Sequence, residues 1–312
     1  MKVFITGISG FVGANLAHKL VEQGHEIHGL VRAQSKNSWR LESIRNQITI
    51  HEGDILDKAK VSEIITQVKP EIIYHLVVYG AYPFQKDAEL ALQTTVMATL
   101  HLLQAAKAAG VKMVVSTGSS SEYGTKDHPM HEDERVDPNS YYAVGKVAQT
   151  LLGQHFSNTE DLPVITLRLF SVYGPYEEPT RLLPVLILNA LNNRDIPLAS
   201  PDTARDFIYV DDIVDAIIQA GNRPDLGGQV FNLGSGKQQT LQTLVNTVMS
   251  ETKSNSKLLW NTYPKRPFDT NIWVADTAKL KTDLKFEAKT PFAVGIKKNI
   301  DWFRNNQQFY AK

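Results

Sequence analysis

The chain has 312 residues, 42% hydrophobic and 21% charged, and its 33 basic and 33 acidic side chains cancel. That length exceeds one ordinary core and fits a large domain plus a smaller lobe, while the balanced charge excludes a chain-wide cationic field for nucleic acid. There is no cysteine, which excludes disulfides, thiolate metal sites and cysteine nucleophiles, and no apolar run approaches the length that spans a bilayer.

A strand over 2–6 runs directly into Thr6-Gly7-Ile8-Ser9-Gly10-Phe11-Val12-Gly13. That start leaves no room for a secretory leader, so a cytoplasmic protein is expected. Residues 11–23 carry Val12, Leu16, Leu20 and Val21 at helical spacing, with Gly24 placed to end the helix. Strands are expected at 26–31, 47–50, 71–78 and 112–116, and helices near 57–67 and 86–109. This alternation predicts a parallel sheet covered on both faces. A charged loop over 124–138 precedes a helix at 140–156 and a strand at 163–169, and prolines break the pattern at 175–179. Beyond it, 181–192 reads as helix, 206–210 as strand, 211–221 as helix and 229–234 as strand; the tail from 240 mixes three helical segments with a short strand near Leu258.

Gly7, Gly10 and Gly13 follow a strand and open a helix. Glycine permits the tight turn and lets backbone amides approach a pyrophosphate, which the positive helix N-terminus favours. Phe11 and Val12 at the helix start, Ile55 past the third strand and Leu76 near the end of the fourth join the expected dinucleotide contacts. Asp54 either accepts from the adenine amino group or caps the helix beginning near Asp57. After the second strand stands Leu30-Val31-Arg32-Ala33-Gln34-Ser35-Lys36, without the carboxylate that holds the free ribose hydroxyls of NAD. Arg32 can instead pair with a 2′-phosphate, so NADP(H) is favoured over NAD(H); the alternative is an arginine in a solvated loop. The expected fold class is α/β, a Rossmann-type doubly wound parallel sheet with a smaller mixed α/β C-terminal substrate lobe. Residues 1–174 would bind the dinucleotide, with 203–234 returning to that domain, and 175–202 and 235–312 would form the substrate lobe.

Tyr142 and Lys146 are four apart on an expected helix, hence on one face. A free phenol has a pKa of about 10, and lowering it by about three units requires roughly 4 kcal/mol. The lysine ammonium and a positive nicotinamide ring would both act in that direction. Ser119, beyond the strand end Val114-Val115-Ser116-Thr117, adds a hydroxyl that can hold a substrate oxygen against Tyr142.

These residues carry a resemblance to the extended short-chain dehydrogenase/reductase family, in its nucleotide-sugar epimerase/dehydratase branch, over nearly the whole length. Its carriers are the glycine turn, the 119–124 segment, Tyr142 with Lys146, Leu167-Arg168-Leu169-Phe170-Ser171-Val172-Tyr173-Gly174-Pro175, Arg205-Asp206-Phe207-Ile208-Tyr209-Val210-Asp211-Asp212, and Val230-Phe231-Asn232-Leu233-Gly234. The resemblance implies that Tyr142 is the acid/base, Lys146 grips the nicotinamide ribose and Ser119 orients the sugar hydroxyl. It also implies that Arg205 and Arg266 hold the diphosphate of an activated sugar and that Arg181 touches its nucleotide, with Ser120 and Ser171 among the substrate contacts. The family's dehydratases place a glutamate two residues before the tyrosine-glycine pair; here that position is Ser121, and Glu122 follows one residue later. A one-residue shift turns a side chain elsewhere, so dehydration is not expected. Thr95 and Ser171 stand where the family usually has asparagines.

The implied reaction is hydride transfer at C4 of a nucleotide-diphosphate hexose. Arg32 and the missing acid tilt the reading toward a 4-ketoreductase; the alternative is a 4-epimerase that retains its cofactor. A reading of another class is a non-catalytic NAD(P)-binding sensor or scaffold, against which the joint presence of Ser119, Tyr142 and Lys146 argues. The aliphatic face of 90–103 beside the Tyr142 helix suggests a two-fold homodimer. His128, His131, Glu132, Asp133 and Glu134 match no zinc spacing and read as a solvated loop, so no metal is expected. His75 reads as a packed histidine, and the serines of 116–121 lack a nucleophile elbow.

Overall fold

A computed structural model describes residues 1–82, 84–263 and 270–310. The first half alternates β1 (Lys2–Thr6), α1 (Phe11–Glu22), β2 (Glu26–Val31), β3 (Ile48–Glu52), α2 (Lys58–Val68), β4 (Ile72–His75), α3 (Ala88–Leu92), α4 (Ala98–Ala108), β5 (Met113–Ser119), α5 (Tyr141–Thr159) and β6 (Val164–Leu169). There follow β7 (Ser171–Tyr173), α6 (Leu182–Leu191), β8 (Ile196–Pro197), β9 (Ala204–Tyr209), α7 (Val210–Gly221) and β10 (Val230–Leu233). The tail holds β11 (Gln238–Thr240), α8 (Leu241–Thr252), β12 (Leu258–Leu259), α9 (Ala278–Thr282) and α10 (Phe292–Asn305).

Seven strands form one sheet in the order β10-β6-β5-β4-β1-β2-β3, parallel throughout. Chain order reverses between β1 and β4, and the crevice above such a switch point is where doubly wound sheets bind ligands. Strand residues alternate between the two faces. Val3, Ile5, Tyr74 and Val115 pack with α1 and α7 on one side; Phe4, Ile73 and Val114 pack with α2 and α4 on the other. A third cluster joins Leu183, Leu186 and Ile187 of α6 to Leu244 and Val248 of α8 and Ile296, Ile300 and Phe303 of α10. It lies with the small sheets β11-β9-β7 and β12-β8. β9 therefore pairs in a small sheet while β10 closes the large one. Among the described residues no helix is long and apolar enough to cross a membrane.

Local chemistry sets the boundaries. Asp57 caps α2 by accepting from Lys60 N, and Ser140 caps α5 by accepting from Ala143 N. β4 stops at His75, short of the expected 78, because its neighbour β1 turns away at Gly7; the last ladder contact is Leu76 N to Thr6 O at 3.1 Å. β5 runs on to Ser119 because β6 accompanies it as far as Leu169. The single helix expected over 86–109 is broken by a π-turn at Gln93–Met97, where Thr95 packs against Gly145 of α5. The 3₁₀ segment Ser38–Gln47 and the short strands β7, β8 and β11 have too little apolar periodicity to be read from sequence.

Candidate active site

The glycine turn sits above the switch point. Gly7 adopts φ +75°, and a Cβ there would lie 2.9 Å from the Leu76 carbonyl carbon. At Gly13 a Cβ would meet the Gly7 carbonyl oxygen at 2.1 Å, so this glycine lets α1 press on the turn. Gly10 is the N-cap of α1 and no side chain caps that end, so its first N–H groups are without a side-chain acceptor. Phe11 and Val12 are partly exposed at the same end. The cradle therefore fits a dinucleotide pyrophosphate. Leu76 touches the turn through its backbone, and Ile55 is buried in the core beside Leu30. Arg32 is exposed just after β2. Asp54 is exposed and accepts from Leu56 N at 3.0 Å, while the helix cap considered for it belongs to Asp57.

The parallel registers bring Thr6, His75 and Ser116 to one level, and the residues that follow form the floor of the cleft. His75 is packed there, bonded to Thr6 Oγ1 (2.8 Å) and Thr99 Oγ1 (2.9 Å), and burial lowers its pKa to about 3. Ser119 ends β5 and Tyr142 stands in the first turn of α5; the Ser119 hydroxyl, bonded to Ser121 Oγ at 2.8 Å, is near enough to the phenol to favour its ionised form. Gly80, in the loop after β4, packs against Tyr142. Lys146 is buried one turn on, its Nζ donating to Thr117 O (2.7 Å) and Gln149 Oε1 (2.9 Å) and lying 6.0 Å from the Tyr142 ring centroid.

Burial pushes the Tyr142 phenol up to about 12, against the opposing effect of the Ser119 hydroxyl, and lowers Lys146 to about 8. The lowering expected from Lys146 and a positive nicotinamide ring concerns the enzyme with its dinucleotide bound; in the chain alone desolvation dominates. Within the chain alone the tyrosine is a proton donor at neutral pH.

Behind this cleft lies a buried ion pair. Glu122 is fully buried and accepts from Ser119 N (2.8 Å), Thr150 Oγ1 (2.9 Å) and Arg168 Nε (2.9 Å). Arg168 also donates to Tyr123 Oη (2.8 Å), and that phenol donates to Asn232 Oδ1 (2.7 Å). Glu132 turns inward to accept from Asn232 N, and His128 pairs with Asp127 and Glu134. Among the described residues no three metal-ligating side chains converge.

Arg181 occupies the N-cap position of α6 without a side-chain cap, half-exposed, 5.8 Å over the Tyr82 ring and near enough to Tyr142 to favour its ionised form. Glu177, 3% exposed, lies 3.9 Å from Arg181 Nε, and its other oxygen has no hydrogen-bond partner. Arg205 stacks 5.2 Å over Trp273, whose Nε1 donates to Ser120 Oγ at 3.1 Å. Ser120 is thereby buried against Trp273. Ser171 opens β7 opposite Phe207. Arg266 lies outside the described residues. Tyr82, Gln149, Glu177 and Trp273 join the site without having been singled out by sequence reasoning.

Burial raises the Glu177 pKa to about 8. The unfolded acid ionises above about 4.5 and the folded one resists, so this residue costs stability as pH rises between those values. Glu177→Gln is expected to stabilise the protein by up to about 3 kcal/mol at pH 7 and by almost nothing at pH 4.5. Urea unfolding at the two pH values checks this; an equal effect at both contradicts it.

Fold and site together define a nicotinamide-dinucleotide oxidoreductase scaffold of the extended short-chain type. The family model "NAD dependent epimerase/dehydratase family" matches residues 3–234, and the chain belongs to that family. It is 31% identical to a UDP-glucose 4-epimerase of Mycolicibacterium smegmatis, over 99% of this chain and all of the relative. It is 26% identical to a dTDP-glucose 4,6-dehydratase of Streptomyces antibioticus, over 99% of this chain and 94% of that one. The solved structure of MoeE5 with UDP-glucose and NAD superposes with a TM-score of 0.88 at 27% identity, covering 98% of this chain and all of that one. The protein is thus an enzyme of a family whose characterised relatives modify nucleotide sugars.

Proposed function

We propose that this enzyme transfers hydride at C4 of a nucleotide-diphosphate hexose, reducing a 4-keto sugar. The observation that carries the reading is the assembly of Ser119, Tyr142 and Lys146 beside the glycine turn. A bound nicotinamide dinucleotide would supply the hydride. Ser119 and Tyr142 hold the C4 oxygen; Tyr142 gives it a proton as C4 becomes tetrahedral, and Lys146 stabilises the phenolate left behind. Arg32 and the absence of a carboxylate over 30–36 support NADPH as donor. Gly7, Gly10, Phe11, Val12, Gly13, Asp54, Ile55 and Leu76 would line the dinucleotide. Arg181, Arg205 and Arg266 would take the nucleotide diphosphate on a lobe formed by 175–202 and 235–312, with Ser120 and Ser171 nearby. The occupied Glu122 carboxylate argues against removal of a C5 proton.

A second reading, 4-epimerisation with retained cofactor, is favoured by the name of the M. smegmatis relative. A panel of UDP-, GDP-, CDP- and dTDP-hexoses and their 4-keto forms, with NADPH and NADH followed at the reduced-nicotinamide absorbance, separates the two. Stoichiometric NADPH oxidation by a 4-keto sugar supports reduction; conversion of a hexose without net oxidation supports epimerisation.

We also propose a homodimer through α5 and the preceding π-turn, where Tyr141, Val144, Leu151 and Met97 are exposed. Light scattering should give twice the 34.9 kDa chain mass for wild type and the single mass for Val144→Glu/Leu151→Glu. A monomeric wild type would refute the interface.

A further inference from the structure

Gln149 follows Lys146 by three residues on α5, the spacing that puts both side chains on one face. The lysine Nζ donates to Gln149 Oε1 at 2.9 Å, and Gln149 Nε2 donates to Ser116 Oγ at 2.9 Å. Gln149 is 1% exposed and Lys146 2%. Both ends of the amide are engaged, so it cannot flip without turning donors toward the ammonium. Among the described residues no carboxylate lies within ion-pair distance of Lys146. Its charge is held in a buried place by two neutral oxygens, those of Gln149 and Thr117. An ammonium has three donors, and two are spent here.

We propose that Gln149 is the positioning residue of the active site: its amide, braced by Ser116 on β5, keeps Lys146 charged and fixes where the remaining N–H points. The proposal rests on the reading that Lys146 serves Tyr142 and the nicotinamide ribose. Three other ionisable groups act on the lysine's surroundings: Tyr142 on the same helix, Glu122 after β5 and His75 on β4. Glu122 is committed to Arg168, and His75 stays neutral because burial opposes its charge. Gln149 is thus the nearest group through which the ammonium can be tuned. Removing its oxygen disfavours the ammonium, while replacing the amide with a carboxylate favours it.

The test measures kcat against pH on the holoenzyme with the 4-keto nucleotide sugar that the panel identifies. NADPH affinity is followed by fluorescence over the same pH range, with thermal unfolding as a control. Gln149→Leu should move the alkaline limb of both profiles down by about one pH unit, and Gln149→Glu should move it up. If Gln149→Leu fails to fold, the isosteric Gln149→Glu and the NADPH titration still decide the matter. Limbs unmoved in Gln149→Glu, with Lys146→Met inactive, would overturn the proposal alone. A Lys146→Met variant with unchanged kcat would overturn the reading of the triad and the proposal with it.

Discussion

Tyr142→Phe is expected to lower kcat by about 10²–10⁴-fold while leaving the affinity for nucleotide sugar within a few-fold of wild type. The phenol is half-buried and lies near Ser119, so phenylalanine keeps the ring and its packing and removes only the hydroxyl. The size of the loss follows from the proton's position. With the phenol at about 12 in the free chain, reaching 7 takes about five units, or about 7 kcal/mol of extra stabilisation of the phenolate. A base-catalysed oxidation must draw that from Lys146 and a positive nicotinamide ring. A reduction runs the same step in reverse: it starts from the protonated phenol and leaves the phenolate for Lys146 to stabilise. Steady-state kinetics with calorimetric binding checks the variant; turnover within tenfold of wild type would show that the proton comes from elsewhere.

The second large effect is structural. Glu122→Ala strands the Arg168 guanidinium, which is 5% exposed, in the core behind Ser119. Removing one partner of a buried pair typically costs about 3–5 kcal/mol. The Ser119 N–H loses its acceptor as well, and with it the anchor of the catalytic serine's backbone. Urea unfolding should show that loss, and Glu122→Gln, which keeps the shape and can still accept, should lose less. A Glu122→Ala variant as stable as wild type would mean that water replaces the carboxylate.

The contrast between Tyr142 and Glu122 shows what sequence can carry. The glycine turn, the Tyr142–Lys146 pair and the strand-helix alternation depend on spacings of a few residues, so they were legible, and the parallel sheet followed. The role of Glu122 depends on a residue 46 positions away, and the Trp273–Ser120 contact spans 153. One signal was available: Arg168 interrupts the apolar run of β6, and a charge inside a strand covered on both faces demands a buried acid. Gln149 gave no such signal, because a glutamine on a helix is ordinarily exposed. The phenol's upward shift was hidden for another reason. Desolvation depends on how completely the cleft closes, and no spacing of residues reports that.

The central claim is tested most directly by following one hydrogen. The wild-type enzyme is incubated with a 4-keto nucleotide-diphosphate hexose and NADPH deuterated at nicotinamide C4 on the transferred face, and the product is read by NMR and mass. Deuterium at C4 of the sugar, appearing about 10²–10⁴-fold more slowly with Tyr142→Phe, is the predicted result. A product labelled at another carbon, or full labelling at C4 in the Tyr142→Phe variant at the wild-type rate, would contradict it.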